Sequence, residues 1–449
     1  MHLTESTTLA EDLDFQKACR YVEDLGKLGS RPGMERIRAL CAILGDPQDD
    51  LRFIHIAGTN GKGSTGAMIA SVLACAGIRC GMYYSPAMTK ISDHYMINGV
   101  VISDAEYARC VSAVALANEK LIAQTKESAT QFEFETAVAF VYFRENRCGA
   151  VVLECGMGGR DDATNIINNR ICCVLTSISY DHMQYLGNTL ADIADVKSGI
   201  IRSACPVIAL DSSDESTDVI RKRCEETGSR LYVVRPSDVS SKEKFPHGQS
   251  VSYKEHDCVD ISLCGTFQAE NAALALQTID VIREGELTEC VLSEDVIRQG
   301  MKKAGWPFRF EIICNSPLTI TDGAHNADAA VKLADSIRMY LKGYDIVLVM
   351  GVFSDKEYDK VAKTLAPLAK AVIATKTPDN PRSLDAGKLA ECVRKYCDDV
   401  SACDSIEEAC DLANKKAGSQ KTAIVACGSL SYLKLFSDIV MKKTDGQGK

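Results

Sequence analysis

The sequence lacks the features of an exported or membrane-spanning chain. Its beginning, MHLTESTTLAEDLDF, has neither the basic start nor the apolar run that a secretory signal peptide requires. No apolar stretch long enough to span a membrane follows in the 449 residues. These absences predict a cytoplasmic protein with no membrane partner.

Cysteine pairing patterns are missing as well. The 20 cysteines are scattered singly apart from the neighbours Cys172 and Cys173, and the chain contains no C-x-x-C and no cysteine–histidine metal spacing. Such a pattern indicates reduced thiols that are buried as small hydrophobic side chains.

An excess of positive charge is also absent. The formal net charge is -10 at pH 7, whereas proteins that bind a nucleic-acid backbone usually carry a basic face. The charge balance therefore predicts no nucleic-acid partner and leaves small anions as ligands of local groups.

The composition is that of a soluble globular chain, with 46% hydrophobic and 25% charged residues. Short apolar runs alternate with helical stretches: FIHIAG (53–58) precedes a helical run (63–77), and further apolar runs occupy 150–159 and 172–179. This alternation predicts an α/β fold with a mostly parallel sheet, which binds ligands at the carboxyl ends of its strands.

A second series of apolar runs begins after Trp306 and predicts a smaller α/β unit. The length suits two domains. We place the boundary in the GWPFRFE segment, which gives domains at 1–305 and 306–449 with a cleft between them.

The strongest chemical signal is GTNGKGS, residues 58–64, which follows a predicted strand and opens a predicted helix. Glycines allow close approach to phosphate, the helix start offers unpaired N–H groups, Lys62 adds a positive charge and Ser64 can hold magnesium. The motif departs from G-x-x-x-x-G-K-[ST], because Ile56 replaces the first glycine and Gly63 separates Lys62 from Ser64.

Polar residues follow three other predicted strands. Glu154 ends the run VVLE and suits a magnesium ligand; Asp181 and His182 follow another strand; Asp322 to Asn326 follow PLTIT. Lys197 lies in an apolar helical context, where a buried lysine can lose its proton and become reactive.

These motifs occur in one order along nearly the whole chain. The sequence resembles the Mur ligase superfamily and, within it, the folylpolyglutamate synthase and dihydrofolate synthase group. The landmarks are GTNGKGST, YYSP, FEFETAVAF, ECGMGGRDDATN, DHMQYLG, KSGI, PFRFE, DGAHN, GVFSDK, TPDNPR and CGS. The resemblance implies an N-terminal P-loop ATPase domain and a C-terminal Rossmann-like α/β domain.

The resemblance also implies the roles of individual residues. Those implied to bind ATP are Gly58, Thr59, Asn60, Gly61, Lys62, Gly63, Ser64, Asn271, Arg309, Asp322 and His325. Those implied to hold one or two Mg²⁺ ions are Ser64, Ser85, Glu154 and His182. Lys62, Lys197 and His182 are the implied catalytic residues, and Lys197 matches the lysine that is carbamylated in this superfamily.

The implied substrates are a pterin or folate acid, L-glutamate and ATP, and the implied oligomeric state is a monomer. Ser85, Pro86, Asp162 and Thr164 are the candidate contacts to the acid. The loop SPAMTKISDH departs from the family pattern, in which histidine and a Glu-Arg pair follow: Ala87, Asp93 and His94 occupy those places.

The predicted activity is ATP-dependent ligation of L-glutamate to a folate or dihydropteroate carboxylate through an acyl phosphate. Two alternatives remain at this point. One is a related amide ligase that acts on another carboxylate and amino acid, and the altered loop is the feature that leaves it open. The other is a nucleotide-binding regulator, whose expected sign is the loss of Lys62, Glu154, His182 or Lys197, and all four are present.

Overall fold

The computed structural model describes residues 13–29, 31, 33–202, 204–285, 292–378, 380–418 and 421–446. The described residues fall into two compact units. The first lies within Met1–Ile178, Gln184–Pro236 and Leu274–Met301, and the second within Ser179–Met183, Ser237–Ala273 and Lys302–Lys449. The assignment of domains at 1–305 and 306–449 stays a prediction.

An eight-stranded sheet organises the first unit. Its strands are β1 Phe53–Ala57, β2 Cys80–Tyr83, β3 Tyr95–Ile97, β4 Val100–Val101, β5 Ala150–Glu154, β6 Arg170–Leu175, β7 Val207–Leu210 and β8 Leu231–Val234. Their order is β4-β3-β2-β5-β1-β6-β7-β8, parallel except for β3 and β4. Every residue of β1 and β5 is buried, as expected for strands covered on both faces.

Helices connect these strands. They are α1 Phe15–Leu25, α2 Glu35–Ile43, α3 Lys62–Cys75, α4 Asp104–Thr125, α5 Gln131–Glu145, α6 Met183–Leu186, α7 Leu190–Ser198 and α8 Asp214–Thr227. Capping boxes begin α5 at Thr130 with Glu133 and α7 at Thr189 with Asp192, which satisfies N–H groups at those helix starts.

The second unit contains two sheets. Its strands are β9 Val239–Glu243, β10 Gln249–Tyr253, β11 His256–Ile261, β12 Glu311–Asn315, β13 Leu318–Thr321, β14 Asp345–Gly351, β15 Ala371–Thr375, β16 Val400–Cys403 and β17 Thr422–Cys427. Strands β9 to β11 form an antiparallel sheet. The other sheet has the order β12-β13-β17-β14-β15-β16 and is parallel apart from β12.

The remaining helices are α9 Gln268–Glu284, α10 Glu294–Lys303, α11 Ala327–Tyr340, α12 Tyr358–Leu365, α13 Ala386–Val393, α14 Ile406–Ala417 and α15 Leu430–Gly446. Among the helices that the structure describes, none is both long and apolar enough to cross a bilayer. The described cysteines are free thiols and most are buried, as their scattered pattern predicts.

Candidate active site

The loop between β1 and α3 has a backbone that favours glycine at two positions. Gly58 has a φ of +152° and Gly61 a φ of +89°. A Cβ on Gly58 would lie 1.8 Å from Thr176 Oγ1. The Thr59 N–H donates to the Ser177 carbonyl at 2.7 Å. The loop is therefore held against the segment that follows β6.

We expect Gly58→Ala to lower the free energy of unfolding by about 1–3 kcal/mol, because the alanine is strained at this φ and its Cβ would overlap Thr176. It should also weaken ATP binding. Urea unfolding and nucleotide titration measure the two effects. Gly149→Ala is the control, since an added Cβ there meets only Ile78 Cγ2 at 3.4 Å. Equal stability of the two variants would show that the loop tolerates a side chain.

Helix α3 starts at Lys62, directly after this loop. Lys62 Nζ lies 3.2 Å from the carbonyl oxygens of Gly58 and Thr59 and 3.7 Å from Glu154 Oε1. The lysine side chain is only 16% exposed. The N-terminus of a helix carries N–H groups without intrahelical acceptors and a partial positive charge. Loop, helix start and lysine together suit the phosphates of a nucleotide.

Oxygen donors lie beside this lysine. Glu154 is the last residue of β5 and is in register with Ile56 of β1, so its carboxylate lies at the sheet edge that carries the loop. Ser64, in the first turn of α3, supplies a buried hydroxyl. Hydroxyl and carboxylate oxygens are hard ligands, and Mg²⁺ completes its shell with water and phosphate oxygens. The donor set therefore fits magnesium.

Within the described residues, no group of three or more His, Cys, Asp or Glu side chains has the arrangement of a metal site. The magnesium ligands proposed for this chain are accordingly few and include a hydroxyl.

Helix α7 carries a second lysine to the same loop. Lys197 is 4% exposed, and its Nζ donates to the Gly58 carbonyl at 2.7 Å. Lys62 and Lys197 therefore approach one carbonyl oxygen from two helices. This convergence joins two of the residues that the sequence predicted as catalytic at the loop between β1 and α3.

Ser85 and Pro86 lie beyond the carboxyl end of β2. Strand β2 runs parallel to β5, with Tyr83 in register with Leu153, so Ser85 lies at the same sheet edge as Glu154. Ser85 is half-buried and Pro86 is exposed. The structure thus brings Ser64, Ser85 and Glu154, three of the four predicted metal residues, to one edge of the first unit's sheet.

Asp162 and Thr164 brace the glycine-rich loop after β5. Asp162 accepts hydrogen bonds from the Thr164 N–H and hydroxyl at 3.0 and 2.5 Å and from the Met157 N–H at 2.9 Å. Burial raises the pKa of Asp162, although these hydrogen bonds lower it. His55 Nε2 lies 2.9 Å from Thr164 Oγ1. Both residues hold the loop, and their predicted contact with the acid substrate stays a prediction.

His55 was not among the site residues that the sequence predicted. It is fully buried in β1, and burial lowers its pKa well below the ordinary value, with a further contribution from the charges of Arg170 and Arg202. A histidine inside the apolar run FIHIAG was the available signal.

In the second unit, Asp181 is the centre of a charged cluster. Its Oδ1 lies 2.7 Å from Lys356 Nζ, and its Oδ2 lies 3.6 Å from His325 Nε2 and 3.3 Å from Asn326 Nδ2. Burial raises the pKa of Asp181, but the interaction with His325 and the charge of Lys356 outweigh burial and hold that pKa far below its usual range. The His182 N–H also donates to Asp181 Oδ1, at 2.9 Å.

Lys356 was not among the predicted site residues. It follows β14 in the GVFSDK segment, and its side chain is 11% exposed. A lysine in the loop after a buried parallel strand was the signal for it, because side chains at that end of a strand face the ligand edge of the sheet.

Asp322 follows β13 and is fixed by the backbone. Its carboxylate accepts hydrogen bonds from the Phe310 N–H at 2.9 Å and the Ala324 N–H at 2.8 Å. Burial raises the pKa of Asp322 to about 6, although the charge of Arg309 lowers it. Asn271 is a buried residue of α9. Contact of these residues with a nucleotide stays a prediction.

Comparison with known proteins decides the family. Residues 56–279 match the Mur ligase middle domain, and residues 308–430 match the Mur ligase, glutamate ligase domain. A Bacillus subtilis protein named dihydrofolate synthase/folylpolyglutamate synthase is 35% identical over 364 residues, which is 80% of this chain and 84% of that protein. The chain belongs to this family of Mur ligases. Its predicted resemblance is confirmed.

Solved structures of related proteins have the same fold as this Mur ligase over nearly its whole length. Folylpolyglutamate synthase of Mycobacterium tuberculosis complexed with ADP has a TM-score of 0.85 and 28% identity, and covers 96% of this chain and 99% of its own. FolC of Escherichia coli in complex with DHPP and ADP has a TM-score of 0.83 and 27% identity, with 99% and 100% covered. The predicted fold class and the predicted ligase class are confirmed.

Proposed function

We propose that this Mur ligase joins L-glutamate to the carboxylate of a folate or of dihydropteroate, with release of ADP and phosphate. The observation that carries the proposal is the convergence of Lys62 and Lys197 on the Gly58 carbonyl, at the start of α3 and beside Glu154. It is supported by 35% identity to a dihydrofolate synthase/folylpolyglutamate synthase.

In this proposal, ATP is bound by the loop between β1 and α3 and by four further side chains. Lys62 and the loop amides from Gly58 to Ser64 bind the phosphates, and Asn271, Arg309, Asp322 and His325 provide further contacts to ATP. Ser64, Ser85, Glu154 and His182 hold one or two Mg²⁺ ions. When bound, magnesium neutralises charge on the phosphates.

The reaction requires activation of the acid before the amide forms. A carboxylate oxygen of the acid attacks the γ-phosphorus of ATP, while Lys62 and Arg309 offset the charge on the transferring group. The neutral α-amino group of L-glutamate then attacks the acyl phosphate, and phosphate leaves. No protein nucleophile is needed, because positioning and charge stabilisation carry both steps.

Lys197 is proposed to be carbamylated. A buried lysine loses its proton more readily than an exposed one, and the neutral amine adds to carbon dioxide to give a carbamate and a proton. Lys197 is 4% exposed. We expect protein equilibrated with ¹³C-bicarbonate to show a carbamate carbon signal in NMR spectra. The signal should be absent from Lys197→Arg, and its absence from the wild type would show that Lys197 acts as an amine.

The acid is proposed to contact Ser85, Pro86, Asp162 and Thr164, and the protein is proposed to act as a cytoplasmic monomer. A second candidate function is kept because the loop after Pro86 carries Ala87, Asp93 and His94, where the resemblance to the family implies a histidine and a Glu-Arg pair. The second candidate is a Mur-type amide ligase for a different carboxylate.

The test uses purified protein with ATP, magnesium and L-glutamate, with dihydropteroate or tetrahydrofolate added in parallel. Phosphate release and product mass are followed. A gain of one glutamyl residue by either acid supports the proposal and shows which activity is present. A folded protein that binds ATP but releases no phosphate above background with either acid would overturn it in favour of the second candidate.

A further inference from the structure

Helix α5 carries a buried carboxylate that the proposed reaction does not use. Glu135 is 5% exposed. Its Oε1 accepts a hydrogen bond from Gln131 Nε2 at 2.8 Å, and its Oε2 lies 3.8 Å from His94 Nε2. His94 is also 5% exposed, so the two side chains form a pair shielded from water.

The other ring nitrogen of His94 contacts the segment before Ser85. His94 Nδ1 lies 2.7 Å from the Tyr84 carbonyl oxygen. A carbonyl oxygen only accepts hydrogen bonds, so Nδ1 carries a proton and Nε2 is the nitrogen that faces Glu135. A chain of contacts thus runs from Glu135 through His94 to the backbone that leads into Ser85 and Pro86.

The turn that precedes His94 is held by hydrogen bonds to the side chain of Asp93. The Asp93 carboxylate accepts hydrogen bonds from the Thr89 N–H at 3.0 Å and the Lys90 N–H at 3.1 Å. Asp93 and His94 end the loop SPAMTKISDH, residues 85–94. Both therefore have structural partners within the loop or directly beneath it.

The surroundings make a carboxylate costly at position 135. Tyr83 and Tyr95 pack as a ring pair beside His94, and the Tyr95 hydroxyl donates to the Glu135 backbone carbonyl at 3.2 Å. Burial raises the pKa of Glu135, while the charge of His94 and the Gln131 hydrogen bond lower it. An apolar side chain in such a place avoids the desolvation penalty, so packing alone does not account for Glu135.

We propose that Glu135 is a positioning residue for the acid substrate: by holding His94 against the Tyr84 carbonyl, it fixes the Ser85–Pro86 segment. The proposal rests on the proposed function, which places Ser85 and Pro86 against the acid. Glu135 thereby determines acid affinity from outside the predicted site.

The test replaces Glu135 with glutamine, which keeps the shape and the acceptor for Gln131 and removes the charge opposite His94. We expect the KM for the acid to rise about tenfold, as for the loss of a charged partner, while the KM for ATP and kcat change by less than about twofold. His94→Gln should give the same split. The double variant should have a KM for the acid no higher than that of either single variant, because both substitutions remove the same interaction between residues 94 and 135.

Glu133→Gln is the matched control. Glu133 is a buried carboxylate of the same helix, but it caps α5 with Thr130 and pairs with Arg36. It should lower the melting temperature and leave the KM for the acid unchanged. Wild-type turnover of the acid with an unchanged KM in both Glu135→Gln and His94→Gln would overturn this inference alone. A wild type that neither binds nor converts folate-type acids would overturn the proposed function and this inference together.

Discussion

Replacing Lys62 with alanine is expected to abolish ATP-dependent product formation and to leave the fold intact. Lys62 Nζ is 3.2 Å from the carbonyl oxygens of Gly58 and Thr59, in the loop between β1 and α3. Loss of one preorganised group that stabilises a transferring charge costs about a hundredfold or more in kcat. Alanine is the best helix former, so α3 should still form. Phosphate release and product mass measure activity, and thermal unfolding checks the fold.

Lys17→Ala is the control for this experiment. Lys17 is a lysine of α1 whose side chain is 66% exposed and pairs only at the surface with Asp14. It should retain wild-type kinetics, because exposed ion pairs contribute little. If Lys62→Ala remained fully active, Lys62 would have no part in the mechanism.

The second large effect is expected for Glu154→Gln. Glutamine keeps the size of the side chain, but it removes the carboxylate at the end of β5 and the ion pair with Lys62. A weakened magnesium site should lower activity by roughly 10- to 100-fold. The dependence of rate on magnesium concentration should shift to higher concentrations, and a series of rates at fixed ATP measures that shift.

Glu145→Gln controls for the loss of a carboxylate. Glu145 ends α5 and pairs with Arg109 at a partly exposed site. Its magnesium dependence should be that of the wild type. A Glu154→Gln variant with the same magnesium dependence as the control would remove Glu154 from the metal site.

The sequence predicted those parts of the fold that a short stretch of neighbouring residues specifies. The apolar runs that became β1 and β5 are buried at every residue, and a run of that kind indicates a strand covered on both faces. The glycine-rich loop lies where its spacing placed it, between β1 and α3. Short-range backbone preferences were sufficient for both features.

The antiparallel sheet of β9 to β11 was not predicted. Its first strand, Val239–Glu243, is almost wholly exposed, so its polar composition gave no apolar run to recognise. Only the inner face of the sheet is apolar, with Val251, Tyr253, Val259 and Ile261 buried. A half-buried sheet shows alternation rather than a continuous run, and the alternation here is short.

Side chains that meet across long stretches of chain were also missed. Lys356 contacts Asp181 across 175 residues, and Glu135 faces His94 from another element. Neither pair has a fixed sequence spacing, because tertiary packing brings the partners together. The convergence of Lys62 and Lys197 on Gly58 was of the same kind, and the resemblance to the family alone joined those two lysines.

The most direct test of the proposed acyl-phosphate mechanism follows an oxygen atom from the carboxyl group of the acid into the released phosphate. The acid is labelled with ¹⁸O in its carboxyl group and converted with ATP and L-glutamate, and the released phosphate is analysed by mass spectrometry. An acyl phosphate keeps the bond between the carboxyl oxygen and phosphorus when the amine displaces phosphate, so the account predicts one labelled oxygen in the phosphate for each amide formed. Amide formation with unlabelled phosphate would contradict it.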